Sequence, residues 1–314
     1  MEGSRSAVVA AFFANLGIAL AKFLGFVFTG AASLLAEAVH SVADTGNQAL
    51  LLLGGHRARR RETPEHPFGY GREQYFWAFV VAMVLFSLGG LFAIYEGIGK
   101  IRHPHAPENL FVAIAILVVA IGLETASLGK AVREANKLRR GHSWWEFVRR
   151  SKNPEMVVVL LEDLGAEIGL ALALAGVLTA RVTGDGRWDA AGSLGIGVLL
   201  VAIAVVLAVE TKSLLIGEGA APRDLAAIRS AIEGAPSVRR LIHMRTEHLG
   251  PGELLVGAKV ELDPGLGLPE VVAAINETEG RLRAAVPAAR VVYLEPDHLS
   301  EHRDGPDDRI EPAG

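Results

Sequence analysis

Residues 33–55 read SLLAEAVHSVADTGNQALLLLGG. The run is apolar over most of its length, yet His40 and Asp44 stand four residues apart inside it. In a helix that spacing puts the imidazole and the carboxylate on one face. Both groups are donors to divalent cations. Ionisable side chains inside a bilayer are costly and are retained mainly where they line an ion path. The pair therefore predicts a membrane helix with an ion-binding face.

Hydropathy extends the pattern on both sides. Segments at 7–29, 33–55, 76–98, 110–128, 156–180 and 190–215 each supply the roughly 20 residues that a spanning helix needs. The chain is 51% hydrophobic with a mean hydropathy of +0.33, which is too apolar for an ordinary soluble domain. The expected class is an α-helical membrane protein with six transmembrane helices over residues 1–216. A small C-terminal α+β domain over 217–299 and a polar, disordered tail over 300–314 follow it. The first apolar run is too long for a signal-peptide core and reads as a retained helix. Cysteine is absent, so any metal must be held by His, Asp, Glu, backbone or water. The net charge of −4 gives no sign of a nucleic-acid partner.

The loops set the orientation in the lipid bilayer. GHRARRRETPEHPFGYGREQ (55–74) carries Arg57, Arg59, Arg60, Arg61 and Arg72. The loop at 129–155 carries Lys130, Arg133, Lys137, Arg149 and Arg150 among others, whereas RHPHAPEN and RVTGDGRWD are shorter and less basic. Positive charge concentrates on the cytoplasmic side, so both chain ends are expected there. A multi-pass protein of the bacterial inner membrane is the expected setting.

After residue 216 the character changes. A Gly/Pro hinge leads to an amphipathic helix with Leu225, Ile228 and Ile232 at helical spacing. VRRLIHMRTEHLG and ELLVGAKVELD read as two strands around a GPGE turn, residues 268–286 as a second helix with Pro269 in its first turn, and ARVVYLEP as a third strand. The order αββαβ suits a two-layer domain.

A second polar cluster lies in VVVLLEDLGAEIGLALALAG (157–176). Asp163 and Glu167 share a face by their i,i+4 spacing, and Glu162 is rotated about 100° from Asp163. Asp163 is a candidate partner for His40 and Asp44, with Glu162 or Glu167 as a fourth ligand. The competing reading is a structural network with Lys22 or the backbone. Lys22 is expected to balance a carboxylate or to snorkel, Glu124 to be structural, and Asn15 to hydrogen-bond between helices. Asp189, which opens the sixth span, reads as a helix cap. His103 and His105 read as solvated.

These motifs resemble the cation diffusion facilitator family of metal–proton antiporters. The resemblance is carried by residues 33–54, by HPFGYGREQYFWAFVVAMVLFSLGGLFAIYEGIGKIRHP (66–104), by WDAAGSLGIGVLL (188–200) and by ETKSLLIGEGA (210–220). It implies a tetrahedral mid-membrane site with two ligands from the second span and two from the fifth. His40 and Asp44 match the second-span pair, and Asp163 matches the fifth-span aspartate. The family's usual partner four residues earlier is Val159 here, and an EDxxA-like variant, Glu162–Ala166, stands in its place. The resemblance further implies proton-coupled efflux of a divalent transition metal, zinc first, with manganese, iron or cobalt as alternatives, in a homodimer. The C-terminal domain would be ferredoxin-like. Lys259 and Leu294 fall where that domain's metal ligands are expected, which leaves His243, His248, Asp297 and His298. Thr63 and Tyr70 replace the loop ligands that would accompany His66, so that loop reads as a turn. No cofactor beyond the transported ion is expected. An enzyme is disfavoured, since no HExxH helix and no nucleophile beside a base occur in a span. The alternative function is a non-transporting metal-binding or sensing partner with the same fold.

Overall fold

The computed structural model describes residues 2–103, 109–139, 141 and 143–298, with side chains from Leu16 onward except that of Leu110. Asn15, His105 and the 300–314 tail, each assigned a role from sequence, lie outside those described residues or side chains. The chain divides into two compact units. One comprises residues 1–59 and 73–212, the other 60–72 and 213–314.

The first unit is helical. It contains α1 (Glu2–Thr29), α2 (Ala32–Ala58), α3 (Glu73–Val84), a π-helical turn (Leu85–Leu91), α4 (Phe92–Arg102), α5 (Leu110–Arg139), α6 (Trp144–Arg150), α7 (Pro154–Thr183) and most of α8 (Arg187–Ile216). Helix α3, the π turn and α4 form one continuous rod. Among the described residues, three helices are long and apolar enough to cross a membrane: Glu73–Arg102, Phe111–Arg139 and Arg187–Ile216. Helices α2 and α7 are comparably long, and they carry His40, Asp44, Glu162, Asp163 and Glu167.

Helix α2 is the centre of this unit, packing against α1, α3, the π turn, α4 and α7. The core around it is built from Leu34, Leu85, Leu117, Leu170, Ile196 and Leu200, all inaccessible. The rod and α8 cross at glycines. A Cβ at Gly90 would lie 2.6 Å from Val201 Cγ2, and one at Gly197 would lie 2.8 Å from the backbone nitrogen of Ile94. Small residues at such crossings let backbones approach. Gly197→Val is expected to lower stability by about 2 kcal/mol or more. A detergent unfolding midpoint equal to that of the parent chain would refute this.

Two elements are additional to the sequence reading. The π turn interrupts the third span, and α6 forms within the second basic loop. Ser143 caps α6 by accepting from the Glu146 backbone N–H at 3.1 Å.

The second unit has α9 (Pro222–Glu233), β1 (Val238–Gly250), β2 (Glu253–Leu262), α10 (Leu268–Ala285) and β3 (Ala289–Pro296). The sheet order is β1-β2-β3, with β1 and β2 antiparallel and β2 and β3 parallel. Leu254, Val256, Ala258, Val260 and Leu262 alternate inward along β2 and meet Ile228, Ile232 and Leu282 of the two helices. The expected αββαβ order is present. The boundary at residue 216 nevertheless omits part of this unit, because the loop 60–72 belongs to it. Gly71 lies against the backbone of Leu249 and Gly250, and Arg72 pairs with Glu247.

Candidate functional site

Helix α2 places Glu37, His40, Ser41, Asp44, Asn47 and Gln48 on one stripe by 3- and 4-residue steps. His40 is inaccessible, and neither of its ring nitrogens has a hydrogen-bond partner. Its Nδ1 lies 3.4 Å from Asp44 Oδ1. The ring also sits beside the π turn, where a Cβ at Gly89 would lie 3.9 Å from Nδ1. Such turns recur at functional positions in helices.

The three carboxylates of α7 diverge. Glu162 is buried and accepts a hydrogen bond from Asn47 Nδ2 at 2.6 Å, which directs it toward α2. Asp163 accepts from Ser127 Oγ at 3.0 Å, and Glu167 accepts from Thr125 Oγ1 at 2.9 Å, so both reach α5. Asp44 and Asp163 nonetheless face one cavity of about 20 Å³, whose walls also include Ser41, Gln48, Glu124 and Ser127. That is room for a single water-sized guest.

The structure therefore brings His40 to Asp44, and Asp44 to the same cavity as Asp163. It sets Glu162 on Asn47 and Glu167 on Thr125. Among the described residues, no three His, Asp or Glu groups converge closely enough to hold an ion as they stand.

Several groups at the site escaped sequence reasoning. Glu37 and Asn47 lie on the stripe and were discoverable from the spacing to His40 and Asp44. Ser127 and Thr125 carry no sequence signal beyond polarity. Glu124 was read as structural, yet it lines the cavity. Lys22 does balance carboxylates. It pairs with Glu37 at 3.1 Å and lies 3.8 Å from Glu124.

Asp189 requires a correction. It is a cap, but for α2 rather than for its own helix. Its carboxylate accepts from the Ala32 backbone N–H at 2.7 Å and from both the N–H and the hydroxyl of Ser33. Those are orphan donors of the α2 N-terminus. The residue at that cap position, Ala31, has no side-chain acceptor.

Elsewhere, the loop around His66 closes as a turn. Thr63 and His66 exchange backbone hydrogen bonds, and the His66 and Tyr70 rings stack at 4.4 Å. In the second unit Lys259 donates to Asp297 at 3.2 Å and lies 3.5 Å from Glu295. The hydrogen bond to Asp297 and the adjacent Glu295 charge raise the Lys259 ammonium above its ordinary range, so it stays charged at neutral pH.

Residues 8–216 match the model of the cation efflux transmembrane domain. The chain belongs to the cation efflux family. This family comprises transporters, not enzymes. Two curated relatives are proton-coupled zinc antiporters SLC30A9, mitochondrial. The one from Xenopus laevis is 34% identical over 84% of this chain and 47% of its own length, and the one from Homo sapiens is 33% identical over 77% and 43%. The chain thus spans about half the length of those relatives. The cation-efflux pump FieF of Pectobacterium atrosepticum is 25% identical over 88% of each chain.

Proposed function

We propose that this cation efflux chain exports a divalent transition metal, zinc first, in exchange for protons. The observation that carries the reading is the cavity shared by Asp44 and Asp163, which come from separate helices, with His40 one turn from Asp44. One imidazole with several carboxylates suits zinc and is compatible with manganese, iron or cobalt. The names of the animal relatives favour zinc and proton coupling. The chemistry favours coupling as well. A ligand must be deprotonated to bind metal, so metal and protons compete for the same side chains.

In this reading six helices span the bilayer, with the Arg-rich loops on the cytoplasmic side of a bacterial inner membrane and both chain ends on that side. The mitochondrial label belongs to the relatives that carry it. Two copies assemble as a homodimer through the C-terminal units. Asp163 leaves Ser127 when the metal arrives and joins Asp44 and His40, and one of the glutamates completes the site. Asn47 of α2 holds Glu162 toward the helix that carries Asp44, whereas Thr125 holds Glu167 at α5, which favours Glu162 over Glu167. Glu162→Gln is therefore expected to lower zinc flux by at least about a hundredfold, as for a direct ligand, and Glu167→Gln by no more than about threefold. The reverse order in a proteoliposome zinc assay would reassign the fourth ligand.

A non-transporting metal-binding partner is the second reading. It draws on the absence of three converged donors among the described residues. Purified protein in vesicles separates the two. Zinc uptake accompanied by proton movement supports export, and zinc binding without flux supports the partner.

A further inference from the structure

Lys22 is completely buried, and its ammonium is held by three groups from two helices. It donates to Glu37 Oε2 at 3.1 Å and to Ser41 Oγ at 2.8 Å, both on α2, and lies 3.8 Å from Glu124 Oε1 on α5. A buried ion pair is a poor stabiliser compared with apolar packing of the same volume. Its placement here has a second consequence. Ser41 and Glu124 are also walls of the cavity that holds Asp44 and Asp163. The ammonium and any cation in that cavity therefore draw on the same two groups.

Glu37 stands apart from this sharing. It does not line the cavity, and it is fixed by packing. A Cβ at position 169 would meet Glu37 Oε1, so the carboxylate packs against α7 at the open face that Gly169 leaves. That oxygen has no hydrogen-bond partner, which leaves the carboxylate's bonding directed at Lys22.

We propose that Lys22 is a tethered cation that competes with the transported metal for Glu124 and Ser41, and that Glu37 sets the balance by drawing the ammonium away from the cavity. When the cavity is empty, Lys22 offsets the negative charge of Glu124 in a low-dielectric wall. When a divalent ion arrives, Lys22 stays on Glu37, and Glu124 and Ser41 turn to the ion. On release the ammonium covers Glu124 again, so the vacated acid cluster is not left bare in the membrane. Lys22 and Glu37 are thus positioning residues that tune affinity from outside the ligand set. The inference rests on the cavity being the metal site.

The test is zinc titration of the full chain in lipid nanodiscs, read by competition with a fluorescent chelator. Lys22→Gln removes the competitor and is expected to tighten zinc binding. Glu37→Gln keeps a hydrogen-bond partner but releases the ammonium toward Glu124, and is expected to weaken it. Unit charges about 4 Å apart at an effective dielectric of about 20 interact strongly enough that a partial displacement shifts affinity about tenfold in each direction. The double variant is expected to bind as tightly as Lys22→Gln. Shifts of the same sign in the two single variants, or wild-type affinity in both, would overturn the proposal. If Lys22→Gln does not fold, Glu37→Gln decides alone, and wild-type affinity there overturns it. Asp44→Asn in the same titration tests the underlying site. Undiminished zinc binding by that variant would remove the site reading itself, whatever Lys22 does.

Discussion

Replacing Asp163 or Asp44 by asparagine is expected to lower zinc flux in proteoliposomes by at least about a hundredfold, because losing a direct ligand exceeds the ten- to hundredfold typical of outer-shell changes. His40→Ala is expected to do the same. The amide keeps the shape of each carboxylate and removes only its charge, so the fold should hold. Asp163 has one hydrogen bond, from the Ser127 hydroxyl, which an asparagine oxygen can still accept. Asp44 Oδ1 has none. The unfolding midpoints should therefore stay within a few degrees of the parent chain. Ser127→Ala provides the contrast. It removes only the hydroxyl that Asp163 accepts from at the wall of the cavity, and its effect on flux should be no more than about threefold. Flux within threefold of the parent chain in Asp44→Asn or Asp163→Asn would remove the cavity from the transport path.

The parts of this site that sequence could supply are those fixed by spacing along one helix. His40 and Asp44 declare themselves because i,i+4 is a geometric identity in any helix. The strand alternation of β2 is legible for the same reason. What sequence could not supply is rotation and partner choice. Spacing puts Asp163 and Glu167 on one face and Glu162 about 100° away without deciding between the two glutamates, and only packing turns Glu162 to Asn47 and the other two toward α5. Asp189 was recognisable as a cap, but its beneficiary lies far away in sequence. Lys22 was visibly a charge in an apolar helix, whereas its partners on α2 and α5 depend on how three helices face one another. The π turn left no trace, since its Gly-Gly pair fits ordinary helix packing equally well. The short helix α6 did leave one. Ser143 with Glu146 three residues on is the sequence signature of a helix start.

Asp189→Ala is expected to destabilise the helical unit by about 3–5 kcal/mol, the usual loss when one partner of a buried ion pair is removed. The carboxylate is inaccessible and lies 3.2 Å from Lys100 Nζ, whose side chain is only 9% exposed. Removing it leaves that ammonium without its counter-charge and strips the first donors of α2 of their acceptor at once. Lys100 also reaches the carbonyl of Gly30, so a single carboxylate ties α2, α4 and the joint between α1 and α2 to α8. Asp189→Asn keeps acceptor capacity and loses only charge, so it should cost less than the alanine. Removing both charges, in Lys100→Met with Asp189→Ala, should recover part of the loss. Denaturant titration in detergent reads all three. A stability for Asp189→Ala equal to that of the parent chain would show that the α2 terminus finds its acceptors elsewhere. The effect bears on transport because α2 carries the polar stripe and Asp189 grips it at the end away from the Arg-rich loop. A transporter that alternates its access must move α2 about some fixed point, and at this capped end α2 is held by charge as well as by packing.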